Sequence, residues 1–195
     1  MIKKEDVIEF FDELSADWDK DLKHNDEIIN IILDNANIKE GIDVLDVACG
    51  TGVLFNDYLN RNVNSLTGVD ISSGMIEVAK QKFNDERIKL VCTDVEDLSE
   101  EGKYDVVMIY NAFPHFINPQ SLIKKCASLL KENGTLSIAH GMSRAKIDAH
   151  HHGPASKVSN GLMEAEDLLK LFEPYFEVKT VISNDEMYQV SGIKK

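Results

Sequence analysis

Short apolar runs rich in branched residues alternate with amphipathic stretches along most of this 195-residue chain. Apolar runs of about four to eight residues predict strands, whereas apolar positions at helical spacing predict helices. Seven runs fit the strand pattern: Asp43–Val47, Ser65–Val69, Ile88–Cys92, Asp105–Tyr110, Thr135–Ala139, Phe176–Ser183 and Met187–Ile193. The last two are separated only by Asn184–Glu186, a spacing that predicts a hairpin and therefore at least one antiparallel strand.

Helical patterns fill most of the space between these strands. They cover Val7–Phe11, Ile28–Leu33, Leu54–Asn60, Ser73–Phe83, Pro119–Leu130 and Glu164–Phe172. Ser72 or Ser73 is expected to cap the fourth of these, and Asn133-Gly134 to end the fifth. Alternation of strands and helices predicts a parallel sheet with helices on both faces.

The predicted fold is one α/β domain over residues 1–195. It is a doubly wound, mostly parallel seven-stranded sheet with a C-terminal antiparallel hairpin. A helical leader (residues 1–40) precedes the core (41–139), and an insertion (140–163) precedes the last helix and hairpin (164–195). The insertion is long for a connection and leaves the carboxyl end of the fifth strand, where open α/β sheets bind ligands. We expect it to form a lid.

The composition restricts the kinds of partner that the protein is expected to bind. Hydrophobic residues make up 43% of the chain and charged residues 28%, with a net charge of −13. A surface this acidic repels phosphate backbones, so nucleic acid is not the expected partner, although the acidity also serves solubility alone. No apolar run is long enough for a bilayer, and "MIKKEDVIEFF" lacks a signal-peptide pattern. A cytoplasmic protein, monomeric or homodimeric, with reduced cysteines is predicted; Cys49 is a weaker candidate nucleophile.

In the stretch "DVLDVACGTG" the first predicted strand is followed by two glycines, Gly50 and Gly52. Glycines after a buried strand indicate a close approach of the backbone to a ligand. A dinucleotide fingerprint would need a third glycine where Phe55 stands, and no Gly-Lys-Ser/Thr phosphate loop follows. Asp70 ends the second strand, where a carboxylate can accept both hydroxyls of a ribose. Its alternative role is to cap the helix that follows.

The ordered motifs resemble those of class I S-adenosylmethionine-dependent methyltransferases. The matching stretches are "VLDVACGTG", "GVDIS", "VCTDVEDL", "YDVVMIYNAFPHF" and "LLKENGTLSIA", which together span residues 43–139. Upstream, "FFDELSADWD" resembles the amphipathic leader of many family members. The resemblance implies S-adenosyl-L-methionine as cofactor and S-adenosyl-L-homocysteine as product. A cationic ligand also suits an acid beside the glycines better than a pyrophosphate does.

The same resemblance implies roles for individual residues. The ribose is expected at Asp70, the adenine amino group at Asp94, and the adenine ring at Val95, Ile71 and Met75. The methionine part is expected near Asp46 and Asn111. Trp18 either covers the cofactor or packs on the sheet edge. The full set of predicted cofactor-binding residues is Trp18, Asp46, Ala48, Gly50, Thr51, Gly52, Asp70, Ile71, Met75, Asp94, Val95 and Asn111.

Histidines are the candidates for chemistry at the methyl group, because a hydroxyl or thiol acceptor needs a base. The candidates are His115 after the fourth strand, His140 after the fifth, and His150 in the insertion. Three interpretations stay open: polar lid residues, a general base at His115 or His140, or a transition-metal site of His140 with His150 and His152. Which of these holds, and whether any metal binds, the sequence leaves undecided.

The predicted function is methyl transfer from S-adenosylmethionine to a small-molecule acceptor, by in-line displacement onto a thiol, hydroxyl or similar nucleophile. One alternative is a regulator or partner subunit that binds the cofactor without catalysis. A nucleotide-cofactor oxidoreductase of the NAD type is the remaining alternative, disfavoured by Phe55 in place of the third glycine.

Overall fold

The computed structural model describes residues 2–150 and 153–195, with the backbone only at residues 21, 150 and 153–155. Seven strands form one sheet: β1 (Asp43–Val47), β2 (Ser65–Asp70), β3 (Ile88–Cys92), β4 (Tyr104–Tyr110), β5 (Leu130–His140), β6 (Phe176–Ser183) and β7 (Tyr188–Lys194). Their order is β3-β2-β1-β4-β5-β7-β6. Strands β1 to β5 run parallel, and β7 lies antiparallel between β5 and β6. The predicted fold class is confirmed.

Helices cover both faces of the sheet. They are α1 (Lys4–Leu14), α2 (Asp26–Asn35), α3 (Phe55–Asn60), α4 (Ser73–Lys82), α5 (Pro119–Leu129), α6 (Arg144–His150) and α7 (Ala165–Phe172). A 3₁₀ helix, Ser15–Asp21, continues α1, and another, Gly153–Val158, lies in the insertion. Within the described ranges, no helix combines the length and apolarity that crossing a bilayer requires.

Side chains that alternate along each strand divide the core between the two faces. Leu45 and Val107 belong to one buried cluster, and Val44 and Val106 to the other. Strand β1 is therefore a central strand that is buried on both faces. The glycine loop follows its carboxyl end, at the point where the strand order reverses between β1 and β4.

One predicted element boundary is wrong. Helix α5 ends at Leu129, and Asn133-Gly134 lies within β5 instead of ending the helix. Leu130 already pairs with Tyr104, and a register shift absorbs the extra residues before the regular ladder begins at Thr135. Asn133 adopts a φ of 62°, so the turn chemistry that the dipeptide predicts is present but forms a bulge in the strand.

Candidate cofactor site and catalytic histidine

A crevice of about 410 Å³ lies at the carboxyl ends of β1, β2 and β4. Its volume suits a ligand of nucleoside size. Of the twelve predicted cofactor-binding residues, ten line it: Trp18, Asp46, Ala48, Gly50, Asp70, Ile71, Met75, Asp94, Val95 and Asn111. Thr51 and Gly52 are buried but lie outside this lining.

The two glycines of the loop have different surroundings. A Cβ atom on Gly50 would meet no atom within 4 Å, so this residue leaves open space above the backbone. A Cβ on Gly52 would lie 2.7 Å from the ring of Phe83 and 2.8 Å from that of Phe55. Both glycines have a positive φ, 55° and 83°. Gly50 thus serves ligand access, whereas Gly52 admits the ring of Phe55 that replaces the missing third glycine.

Asp70 links the glycine loop to the second strand. Its Oδ2 accepts a hydrogen bond from the Gly50 N–H at 2.8 Å, and its Oδ1 accepts one from the Ser72 N–H at 2.9 Å. Ser72 itself caps α4, because its hydroxyl accepts from the Met75 N–H. Asp70 therefore shapes the loop and the helix start while still lining the crevice. Each carboxylate oxygen has a second lone pair for a ribose hydroxyl.

Asp46 is a buried acid beside the glycine loop, with 2% of its surface exposed. Burial, reinforced by the Asp70 carboxylate, raises the pKa of Asp46 to about 8. Burial likewise raises the pKa of Asp70. Two buried acids in one crevice favour a positively charged ligand, so the residues fit a ligand that carries an ammonium and a sulfonium. Burial also raises the pKa of the Cys49 thiol well above its usual range, which argues against a thiolate nucleophile there.

Asp94 lies at the far end of the crevice, after β3. One of its oxygens accepts from the Glu96 N–H at 3.0 Å, and the other forms an ion pair with Lys4 of α1. This ion pair raises the pKa of Lys4. Val95, Ile71 and Met75 supply apolar surface at the same end, as expected for a site that holds a planar base.

Two acids of the leader hold it against the sheet. The Asp12 carboxylate accepts from the Ser72 hydroxyl at 2.6 Å and from the Gly74 N–H at 2.8 Å. Gly74 permits this approach, because a Cβ there would lie 2.5 Å from the Ser15 hydroxyl oxygen. Asp19 accepts from the Thr51 hydroxyl at 2.6 Å.

Lys82 of α4 completes the second attachment with a 2.6 Å ion pair to the other oxygen of Asp19. Lys4, Asp12 and Asp19 were not predicted as site residues. A sequence signal exists for Asp19, which follows Trp18 in the leader motif "FFDELSADWD". Thr51, predicted to bind cofactor, lies outside the crevice lining and its hydroxyl anchors the leader through Asp19.

Trp18 lines the crevice and packs edge-on against Phe11, with ring centroids 5.5 Å apart. Phe11 in turn packs edge-on against His115, at 5.0 Å. The leader therefore forms one wall of the crevice, and its aromatic rings reach the loop that follows β4. Of the two interpretations of Trp18, the structure favours the one in which it covers the crevice.

His115 lines the crevice from a short 3₁₀ turn, Phe113–His115, after β4. Its Nδ1 lies 2.7 Å from the carbonyl oxygen of Val158 in the insertion. Because a carbonyl oxygen only accepts, Nδ1 carries the proton, and Nε2 is the basic nitrogen of the neutral ring. The insertion also holds this loop through the Asn160 N–H, which donates to the Pro114 carbonyl at 2.8 Å. Leader and insertion meet where Val158 packs with Val7.

The other predicted catalytic histidines are placed differently. His140 is 2% exposed, pairs in register with Tyr188 and packs edge-on against its ring, outside the crevice lining. The antiparallel strand β7 encloses it, so His115 and His140 do not share the crevice. The His150 side chain, His151 and His152 lie outside the described residues. Within the described part of the chain, side chains with metal-ligating spacing are found at His24, Asp26 and Asp57, a group that does not include His140.

This doubly wound sheet, with acids at the ends of β1 and β2 and after β3 around one glycine loop, has the class I S-adenosylmethionine-dependent methyltransferase fold. Residues 44–134 match a family model described as a methyltransferase domain, and this part of the chain belongs to that family. The predicted family is thereby confirmed for this part of the chain.

Named relatives support the same assignment. The chain is 32% identical over 142 residues to a malonyl-[acyl-carrier protein] O-methyltransferase of Acetivibrio thermocellus, covering 71% of this chain and 50% of that protein. It is 35% identical over 100 residues to a ubiquinone biosynthesis O-methyltransferase of Coxiella burnetii, covering 50% of this chain and 42% of that protein. The chain thus spans about half the length of these curated relatives.

A solved structure extends the likeness to nearly the whole chain. Magnesium protoporphyrin IX methyltransferase from Synechocystis PCC 6803, determined with bound S-adenosylhomocysteine, has a TM-score of 0.74 and 19% identity. The match covers 99% of this chain and 100% of that one. At this identity the likeness concerns the fold.

Proposed function

We propose that this protein transfers the methyl group of S-adenosylmethionine to a small-molecule hydroxyl or thiol, with His115 as the general base. The observation that supports the proposal most directly is that one crevice is lined by the acids Asp46, Asp70 and Asp94 in strand order, by the open glycine Gly50, and by His115. In this proposal the acids and backbone hold the cofactor, and His115, which lines the same crevice, takes the proton of the acceptor.

Different residues of the chain bind the cofactor, exclude water and position the acceptor in such a reaction. S-adenosylmethionine, when bound, supplies a methyl group already activated by its sulfonium. Asp70 holds the ribose hydroxyls, Asp94 the adenine amino group, and Asp46 the positive end. The leader rings of Phe11 and Trp18 exclude water, which strengthens every electrostatic contact inside the crevice. Positioning the acceptor in line then supplies most of the rate enhancement.

His115 has the tautomer that this role needs. The Val158 carbonyl fixes the proton on Nδ1, so Nε2 is the ring nitrogen whose lone pair can accept a proton. The edge contact with Phe11 restricts the ring's orientation. His140 and His150 are not part of this proposal, because the structure encloses the first beside Tyr188 and describes no side chain for the second.

Ligand binding tests the cofactor part of the proposal. Isothermal titration of the full chain with S-adenosylhomocysteine should give saturable one-site binding, whereas NAD⁺ should give none. A pyrophosphate would bring negative charge next to Asp46 and Asp70, in a crevice where Lys4, the lining lysine among the described residues, is already paired with Asp94. Binding of NAD⁺ in preference to S-adenosylhomocysteine would overturn the assignment in favour of an oxidoreductase.

Substitution of His115 tests the catalytic part. His115→Asn keeps a side-chain N–H near the position of Nδ1 but removes the basic nitrogen. We expect kcat to fall by about 10²–10⁴-fold, with unchanged S-adenosylhomocysteine affinity and unchanged thermal stability. His24→Asn, a change at a histidine that lies outside the crevice lining, serves as the control. Wild-type turnover by His115→Asn would remove His115 from the mechanism. Binding without turnover on any hydroxyl or thiol would favour a non-enzymatic regulator.

A further inference from the structure

The charges around the crevice restrict the kind of acceptor. Among the described residues that line it, four are acidic: Asp46, Asp70, Asp94 and Glu96. The side chain that carries a full positive charge there is Lys4, and its ammonium is paired with Asp94. Burial keeps Asp46 mostly protonated at pH 7, and Lys4 is already paired, so an anionic acceptor would lose its hydration beside acids without an unpaired lysine or arginine among the described lining residues.

The remaining wall of the crevice is largely apolar. Val7, Phe11 and Leu22 line it from the leader, and Phe116 and Ile117 from the loop after His115. They share the lining with His115, and Phe11 contacts its ring. Burying an apolar body against them is favourable by about 25 cal/mol per Å² of apolar surface removed from water.

Two of these apolar side chains are also exposed to solvent. Leu22 is 38% exposed and Ile117 is 44% exposed, although both line the crevice. They come from different segments, one from the end of the leader and one from the loop before α5. Large apolar side chains that are exposed together at a cavity indicate where a ligand is received.

We infer that the acceptor is an uncharged, largely apolar molecule that enters between Leu22 and Ile117 and presents a hydroxyl or thiol to His115. This inference rests on the proposed function and adds the acceptor's class. The acceptor's proton passes to Nε2 of His115, and its lone pair forms the new bond to the methyl carbon. The electrons of the broken carbon–sulfur bond return to sulfur, and the imidazolium then loses its proton to water.

Matched probes test the inference by binding, independently of turnover. The protein is first saturated with S-adenosylhomocysteine and then titrated with 4-propylphenol and with 4-propylbenzoate, which differ mainly in charge. We expect the phenol to bind at least tenfold more tightly than the benzoate. Equal or tighter binding of the benzoate would overturn the inference, and so would the absence of binding by both probes. In either case intact S-adenosylhomocysteine binding leaves the proposed function standing.

Variants at the opening locate the binding. Leu22→Ser and Ile117→Ser should each weaken 4-propylphenol binding by about three- to tenfold, because each removes apolar contact area. Ile31→Ser is the matched control, since Ile31 is 39% exposed but does not line the crevice. Ile117→Lys should shift the preference toward the benzoate. An equal effect of Ile31→Ser, or no effect of both opening variants, would place the phenol elsewhere and refute the entrance.

Discussion

Binding of S-adenosylmethionine should release a proton from Asp46. The carboxyl is fully buried, and its pKa lies near 8 instead of the ordinary 3.8. At pH 7 it is therefore about nine-tenths protonated in the ligand-free protein. A cation placed in the crevice favours the charged carboxylate and drives the proton off. Affinity should rise about tenfold for each pH unit up to pH 8 and level off above it.

Titration calorimetry in buffers of different ionisation enthalpy measures this proton directly. We expect about one proton released per S-adenosylmethionine bound at pH 7, and almost none at pH 9. 5′-Methylthioadenosine, which lacks both positive charges, is the control ligand and should release none. Asp46→Asn should abolish the release and weaken binding at pH 8 by about thirtyfold, equivalent to about 2 kcal/mol for a charge-assisted hydrogen bond.

The unfolding free energy should fall with rising pH, whereas the affinity for S-adenosylmethionine should rise. Between about pH 4 and pH 8 the native protein holds the Asp46 proton more tightly than the unfolded chain does. The unfolding free energy of the ligand-free protein should therefore fall as pH rises through this range, by roughly 5 kcal/mol in total from this group. Asp46→Asn should lose that dependence. Proton release of zero at pH 7, or full release by the Asn variant, would show that Asp46 does not face the cation.

Three further predictions concern the loop, the leader and the ribose acid. Gly52→Ala should lower the unfolding free energy by about 2–4 kcal/mol in urea titrations, because the new Cβ meets two phenylalanine rings. The control Gly41→Ala, at a similar positive φ but in open surroundings, should lower it by about 1 kcal/mol. Equal losses of stability in the two variants would contradict the packing argument. Asp12→Ala should speed hydrogen exchange across residues 4–21 and weaken S-adenosylhomocysteine binding at least fivefold, whereas Asp17→Ala, at an exposed acid, should change neither. Asp70→Asn should weaken S-adenosylhomocysteine binding by about 1–3 kcal/mol in calorimetry; unchanged affinity would refute the ribose contact.

The sheet and its glycine loop were predictable because their signals are local. Branched apolar runs define β1 to β7, and chemistry-bearing residues in parallel sheets fall directly after the strands. Gly50, Asp70 and Asp94 are read from such positions without knowledge of tertiary contacts. The bulge at Asn133 was not predictable in the same way. Its turn residues suit a helix end equally well, and pairing of Leu130 with Tyr104 decides between them.

The attachments of the leader could not be read from the pattern. Asp12 and Asp19 occupy positions that look like the solvated face of an amphipathic helix, and only docking on Ser72 and Thr51 gives them partners. His140 shows the converse error. Its place at the end of β5 predicts access to the crevice, but a neighbouring antiparallel strand encloses it beside Tyr188.

The way the leader is fastened has a consequence for the speed of the catalytic cycle. Lys4 pairs with Asp94 at the crevice, and Asp12 and Asp19 fasten the leader that forms one of its walls. We expect these contacts to separate before the spent nucleoside leaves. Hydrogen bonds to charged groups contribute about 1.5–3 kcal/mol each, and salt weakens those near the surface. We expect product departure, not bond formation, to set the ceiling on turnover. Moderate salt should then raise kcat at saturating substrate, whereas salt ordinarily weakens the binding of a cationic substrate to acidic residues.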